Sequence, residues 1–83
     1  MNNLPRVDKK RTGERIAELK RRNGYTTEQL ADSLGLSAGA IRSYEGGWRQ
    51  PAIETLKAMS GLFHLESSDE IVVWEDEIWN AEK

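Results

Sequence analysis

The feature that most limits the folds open to this chain is one glycine between two short helix-forming runs. Thr26-Thr27-Glu28-Gln29 is a capping box. The Thr26 hydroxyl can accept from the Gln29 backbone N–H, and the Gln29 side chain can reach back. Leu30, Ala31 and Leu34 follow as an apolar stripe at helical spacing. Gly35 ends the run, because glycine takes the positive φ of a tight turn without a Cβ clash. Ser37 is an N-cap for a second helix from Ala38 to about Glu45, with Ile41 and Tyr44 inward, and Gly46-Gly47 stops it. Ala31 is small where the two helices cross. Leu36, Ile41 and Tyr44 plug the space between this pair and a preceding helix. Such a unit holds its second helix at a steep angle with one side outward, a shape that fits a DNA major groove.

The rest of the chain supplies partners for that unit. Residues 1–11, with Pro5 and the run Lys9-Lys10-Arg11, read as a flexible basic N-terminal arm. A helix starts near Gly13, with Ile16 and Leu19 on one face and Tyr25 closing the segment, and Asn23-Gly24 stops it. Trp48-Arg49-Gln50-Pro51 is a loop, because Pro51 biases Gln50 out of the α region. A fourth helix carries Ile53, Leu56, Met59, Leu62 and Phe63 on one side. Ser67-Ser68-Asp69-Glu70 is a second capping box, and Ile71, Trp74 and Ile78 recur at helical spacing, which predicts a fifth helix. Ile71-Val72-Val73-Trp74 is also a good short strand, and helix is favoured. The expected fold is all-α, a compact bundle of five helices. It has three regions: the arm (1–11), the domain proper (12–72) and an acidic, tryptophan-containing extension (73–83) that is helix or strand.

Eighty-three residues make one domain, and without cysteine there is no disulfide and no thiolate chemistry. The net charge of −2 argues against a polyanion partner until it is divided along the chain. Residues 1–49 hold ten Lys/Arg and six Asp/Glu, whereas residues 50–83 hold two and eight. The first half can face a polyanion while the acidic end faces away; the alternative is ordinary solvated surface in both halves. The longest uncharged apolar run, Ile71 to Trp74, is far too short for a bilayer, and no leader is visible, so a cytoplasmic protein is expected. The carboxylates Glu14/Glu18 and Asp69/Glu70 read as solvated faces and caps. His64 has no second His or Cys to form a metal site with. No nucleophile–base pair or phosphate loop stands out, so an enzyme, a cofactor and a small-molecule ligand are not expected. Trp74 and Trp79 either cap the core or enter a dimer interface.

The ordered set of residues resembles the phage repressor/Cro (XRE) helix-turn-helix family. It comprises Gly13-Glu14-Arg15-Ile16, Leu19-Lys20, Thr26-Thr27-Glu28-Gln29-Leu30-Ala31, Leu34-Gly35-Leu36-Ser37, Ile41-Arg42-Ser43-Tyr44-Glu45-Gly46-Gly47, Pro51, Thr55-Leu56 with Met59, and Asp69-Glu70-Ile71. The resemblance spans roughly residues 12–72. It implies a lambda-repressor-like five-helix domain that binds double-stranded DNA, usually as a homodimer on a palindromic operator. By the same resemblance Thr27 contacts phosphate, Ala38, Gly39 and Ser43 occupy base-reading positions, and Ser37 faces phosphate or base. Gly47, Trp48 and Arg49 fall where relatives contact the DNA backbone, and Lys20 and Glu45 match an ion pair between the first and third helices. Lysine lacks the bidentate fork of the usual arginine, which weakens that pair.

Departures from the pattern bear on docking. Ala38 and Gly39 carry no hydrogen-bonding side chain and can touch a thymine methyl but cannot select guanine. Arg42 is the only long donor on the recognition helix, suited to guanine or to phosphate. Ala52 stands where a capping Ser is common and His64 where Gly is common, and Leu65–Asp69 is one residue longer than usual. Two function classes follow. The first is a sequence-specific transcriptional regulator, a repressor acting as a dimer with its third helix in the major groove. The second is a protein-interaction module on the same fold, an antitoxin-like or anti-repressor partner, favoured by the sparse recognition helix, the acidic end and the late tryptophans.

Overall fold

The computed structural model describes residues 6–75. Within them lie four helices, α1 (Lys9–Arg22), α2 (Thr27–Leu34), α3 (Ala38–Glu45) and α4 (Ile53–Leu62), followed by a single 3-10 turn over Ser68–Glu70. The all-α class holds. The helices start where side chains can satisfy free N–H groups. Asp8 accepts from Arg11 N–H, Thr26 and Gln29 form both halves of the capping box, and Ser37 accepts from Ala40 N–H. Ala52, at the head of α4, makes no side-chain cap.

All four helices end on one backbone device, a 6→1 hydrogen bond closed over a left-handed residue. The bonds run from Tyr25 N–H to Lys20 C=O (3.0 Å), Leu36 to Ala31 (2.9 Å), Trp48 to Ser43 (2.9 Å) and Leu65 to Ser60 (2.8 Å). The left-handed residues are Gly24, Gly35, Gly47 and His64. At Gly35 this is the elbow that turns α2 into α3. His64 makes the same turn with a side chain attached, at φ 60°.

The core is Ile16 and Leu19 of α1, Leu30 and Ala31 of α2, Ile41 and Tyr44 of α3, Leu56 and Met59 of α4, with Phe63 and Ile71. Tyr25 stands edge-on to Phe63, ring centroids 6.2 Å apart. α3 packs against both α1 and α2. The α1–α3 approach is set by Gly13. A Cβ there would fall on the Tyr44 carbonyl oxygen and lie 2.6 Å from that of Glu45. Leu34 and Leu62, expected in the core, are half-buried against its edge, and Ile53, placed on the apolar side of α4, is 74% exposed as that helix's first residue.

Two expectations are corrected. First, Lys9, Lys10 and Arg11 do not belong to an arm: they form the first turn of α1, started by the Asp8 cap. Residues 1–5 of that arm lie outside the described residues. Second, the described residues hold four helices and a 3-10 turn in place of five. Ser67 Oγ accepts from Asp69 N–H (3.0 Å) and Glu70 Oε2 from Glu66 N–H (3.0 Å), so the caps close one turn only. Arg15 Nη1 then donates to the Glu70 carbonyl at 2.8 Å. Ile71 is fully buried. Val73 and Trp74 beyond it leave the helical path and pair with another segment, as the β-branched run allows. The Thr12 hydroxyl accepts from Val73 N–H (2.9 Å) and donates to Val73 C=O (3.4 Å), supplying the partners a helix would have provided. Asp8 N–H also reaches Val73 C=O (2.8 Å), Glu75 N–H reaches Arg6 C=O (2.8 Å), and Val7 and Trp74 form an antiparallel bridge. Val73 and Trp74, the first residues of the expected extension, therefore pair with residues 7 and 8 through an isolated antiparallel bridge, and Glu75 is already in helical conformation. Ile78, Trp79 and the remaining acidic residues lie outside the described residues.

Two substitutions test this account by thermal unfolding. Gly13→Ala improves intrinsic helix propensity by about 1 kcal/mol, yet is expected to lower stability, by roughly 1–3 kcal/mol, because α1 must move off the α3 carbonyls. His64→Gly is expected to raise stability by about 0.5–1 kcal/mol, the left-handed strain relieved less the entropy glycine adds to the unfolded chain.

Candidate nucleic-acid interface

α3 is fixed by its inner face. Ile41 and Tyr44 are buried, Ala38, Ala40 and Ser43 are half-buried, and Gly39, Arg42 and Gly46 are exposed at helical spacing. Nothing but Ser37 Oγ, at 3.8 Å, approaches the place a Gly39 Cβ would take, so the backbone is open there. Ser37 is exposed at the head of the helix, where its Oγ accepts the Ala40 N–H at 3.1 Å. That bond uses an acceptor lone pair and leaves the hydroxyl proton to donate elsewhere.

Thr27 heads α2, and its Oγ1 accepts from Lys20 Nζ at 2.9 Å. Its proton likewise remains a donor. Lys20 also lies 2.9 Å from Glu45 Oε2, the two side chains 11% and 18% exposed. The expected ion pair is thus present. The ammonium donates to Thr27 on α2 and forms its ion pair with Glu45 on α3, holding the head of α2 and the tail of α3 to α1. The lost guanidinium fork is offset by a second partner.

The segment after α3 curls back onto α1. Gly47 is left-handed, and a Cβ there would lie 2.8 Å from Lys10 Cα. Arg49 is exposed, with its guanidinium 5.5 Å from the Tyr44 ring centre, and Trp48 is 82% exposed. The basic first turn of α1 therefore stands beside the α3–α4 loop. Lys9, Lys10 and Arg11 run against the helix macrodipole there, with Asp8 as the local counter-charge.

The structure thus brings Ser37, Gly39 and Arg42 to one outer side of α3, with Ala38 and Ser43 at its flanks. It puts Gly47, Trp48 and Arg49 at one end, beside Lys10. Thr27 faces Lys20. Sequence reasoning missed Glu28, assigned only to a cap. Its Oε2 receives Arg42 Nη2 at 3.2 Å, so the one long donor of α3 is ion-paired to α2. The partners are 14 positions apart in the chain, and only the α2–α3 crossing angle puts them together. Helix spacing gives no hint of such a pair; the sole signal was opposite charge on the first turn of one helix and the outer face of the next.

An elbow of this kind, with α3 set outward on a four-helix frame, defines a repressor-like helix-turn-helix domain. A family model for the helix-turn-helix domain matches residues 11–71. The chain belongs to that family, in its XRE-like form, and the non-enzymatic character expected of it follows from that membership. It is 32% identical over 50 residues to the HTH-type transcriptional regulator AnsR of Bacillus subtilis (strain 168), covering 60% of this chain and 43% of that protein. It is 29% identical over 66 residues to the HTH-type transcriptional regulator ImmR of the same organism, 80% of this chain and 50% of that one. The chain thus spans half or less of the length of these relatives. Among solved structures it resembles the restriction-modification controller protein C.AhdI from Aeromonas hydrophila, with a TM-score of 0.70 and 23% identity over 77% of this chain and 96% of that one. The clp gene regulator ClgR from C. glutamicum gives a TM-score of 0.69 at 17% identity, over 84% and 90% of the two chains. These two likenesses establish the fold. No helix among the described residues is long and apolar enough to cross a membrane.

The Lys20 tie gives a prediction. Lys20→Met leaves Glu45 and Thr27 without their partner and is expected to destabilise by about 2–4 kcal/mol, as for a half-removed, largely buried pair. Adding Glu45→Gln is expected to recover part of that loss. Urea unfolding of the single and double variants measures both.

Proposed function

We propose that this chain is a sequence-specific, double-stranded DNA-binding transcriptional regulator that works in the cytoplasm. It acts as a dimer and as a repressor. Each copy lays α3 in a major groove, and two heads related by a two-fold axis meet half-sites about 34 Å apart. The observation that carries this reading is the two-sidedness of α3. Ile41 and Tyr44 lock one side into the core while Gly39 and Arg42 stand exposed on the other. A rigid helix presented in this way is pre-organised for a groove. Ala38 and Gly39 admit close approach and contact with a thymine methyl, and Arg42 supplies the strong donor. Thr27 and Ser37 hydroxyls, with the N–H groups at the heads of α2 and α3, are suited to phosphate. Gly47, Trp48 and Arg49 with the basic turn of α1 serve the adjacent backbone. Occupancy of an operator by itself blocks transcription, which makes repression the simplest outcome. The names borne by AnsR and ImmR, both HTH-type transcriptional regulators, support the class.

One observation favours the second reading, a protein-interaction module of antitoxin-like or anti-repressor kind. Trp48 and Ile53 are 82% and 74% exposed, apolar surface of the sort a protein partner covers.

Fluorescence anisotropy of the full chain against labelled duplexes from the region flanking its own gene separates the two. The regulator is expected to bind one duplex preferentially and to lose affinity roughly a hundredfold or more between 50 and 200 mM salt, through counterion release. Footprinting is expected to show two protected half-sites one helical turn apart. Absence of salt-dependent binding, together with a stable complex with a protein encoded nearby, overturns this reading in favour of the second.

A further inference from the structure

We propose that Glu28 and Arg42 together read one G·C base pair, so that the specificity of α3 lies in a two-helix pair rather than in Arg42 alone. This rests on the DNA-binding reading above. Arg42 Nη2 and Glu28 Oε2 are 3.2 Å apart, on side chains 63% and 70% exposed. An ion pair that open contributes little to folding, so the fold does not account for it. Nor does α3 offer another exposed hydrogen-bonding side chain. Ala38, Gly39 and Ala40 have no polar side-chain atom, Ser43 is half-buried, and Glu45 is held by Lys20.

The geometry decides between the two partners open to Arg42. A carboxylate beside the guanidinium largely cancels its attraction for phosphate and adds repulsion from the backbone. A base edge is different. The contact engages one guanidinium nitrogen and one carboxylate oxygen, and the guanidinium carries five N–H donors in a fork. The pair therefore presents donors next to an acceptor. In the major groove a G·C pair offers guanine N7 and O6 as acceptors and cytosine N4 as a donor, the matching pattern. An A·T pair places thymine O4 and a methyl where the carboxylate would sit, an acceptor against an acceptor. Glu28 thus rewards one base pair and penalises the other, which is how a site discriminates. It also orients Arg42 before binding.

The test uses the full chain and duplexes selected by it from a randomised pool. The wild-type protein is expected to select G·C at one position of each half-site. Glu28→Ala is expected to reduce discrimination at that position about tenfold, the scale of a lost base contact, while binding to random duplex rises. Arg42→Ala is expected to lose discrimination at the same base pair, and the double variant no more than Arg42→Ala. Because both side chains are exposed, unchanged thermal unfolding confirms that each variant is folded. If Glu28→Ala strengthens binding to selected and random duplexes by one factor, or if the two variants act at different base pairs, the proposal is overturned while the regulator reading stands. If the wild-type chain binds no duplex in a salt-dependent way, both fall.

Discussion

The contact between α1 and the C-terminal end of α3 is what everything else in this domain depends on. Gly13 lets the two backbones meet at the Tyr44 and Glu45 carbonyls. About two turns further along α1, Lys20 reaches Glu45 and Thr27. The steric contact sets distance and the ionic one sets rotation. Together they fix α3 from behind, and the Gly35 elbow fixes it from its N-terminal side. A helix as short as α3 has little stability of its own. Its rigidity is lent by these neighbours, and a rigid helix avoids the ordering entropy that a loose one would spend on binding.

The same economy appears at the ends. Thr12, wholly inside α1, uses its hydroxyl to hold both backbone groups of Val73, and Val7 pairs with Trp74. Closure of the N- and C-terminal segments brings Ile71 into the core between them. The α1–α3 contact at Gly13 sets the basic first turn of α1 beside Gly47, so that cations placed against their helix dipole gather next to the α3–α4 loop. A local cluster of cations of this kind is what steers a polyanion.

Much of the fold was legible because its signals are local. The Thr26–Gln29 capping box, Gly35, Ser37 and the stripe of Leu30, Ala31, Ile41 and Tyr44 each act within a turn or two of chain, and the structure holds them as read. The resemblance to repressor-like domains extended that reading to the Lys20–Glu45 pair, which spacing alone does not disclose. The fifth helix failed because Ile71, Trp74 and Ile78 satisfy helical period while Ile71-Val72-Val73 satisfies strand preference. The tie was broken by Thr12, which is 61 positions away from Val73. The α1 start was misjudged because Asp8 precedes cations rather than an apolar run, so the cap carried no hydrophobic cue.

By itself the sequence determined where α2 and α3 begin and where α1, α2 and α3 stop, because caps, glycine turns and 3.6-residue periodicity are properties of neighbouring residues. It also determined which residues α3 carries, and so which chemistry a groove would meet. Tertiary structure alone decided that Arg42 stands beside Glu28, that Lys10 lies under Gly47 and that Val73 leaves the helical path. Each of these joins atoms brought together by crossing angles and by closure of the two ends, and a crossing angle follows from the packing of the whole core rather than from any short stretch of chain.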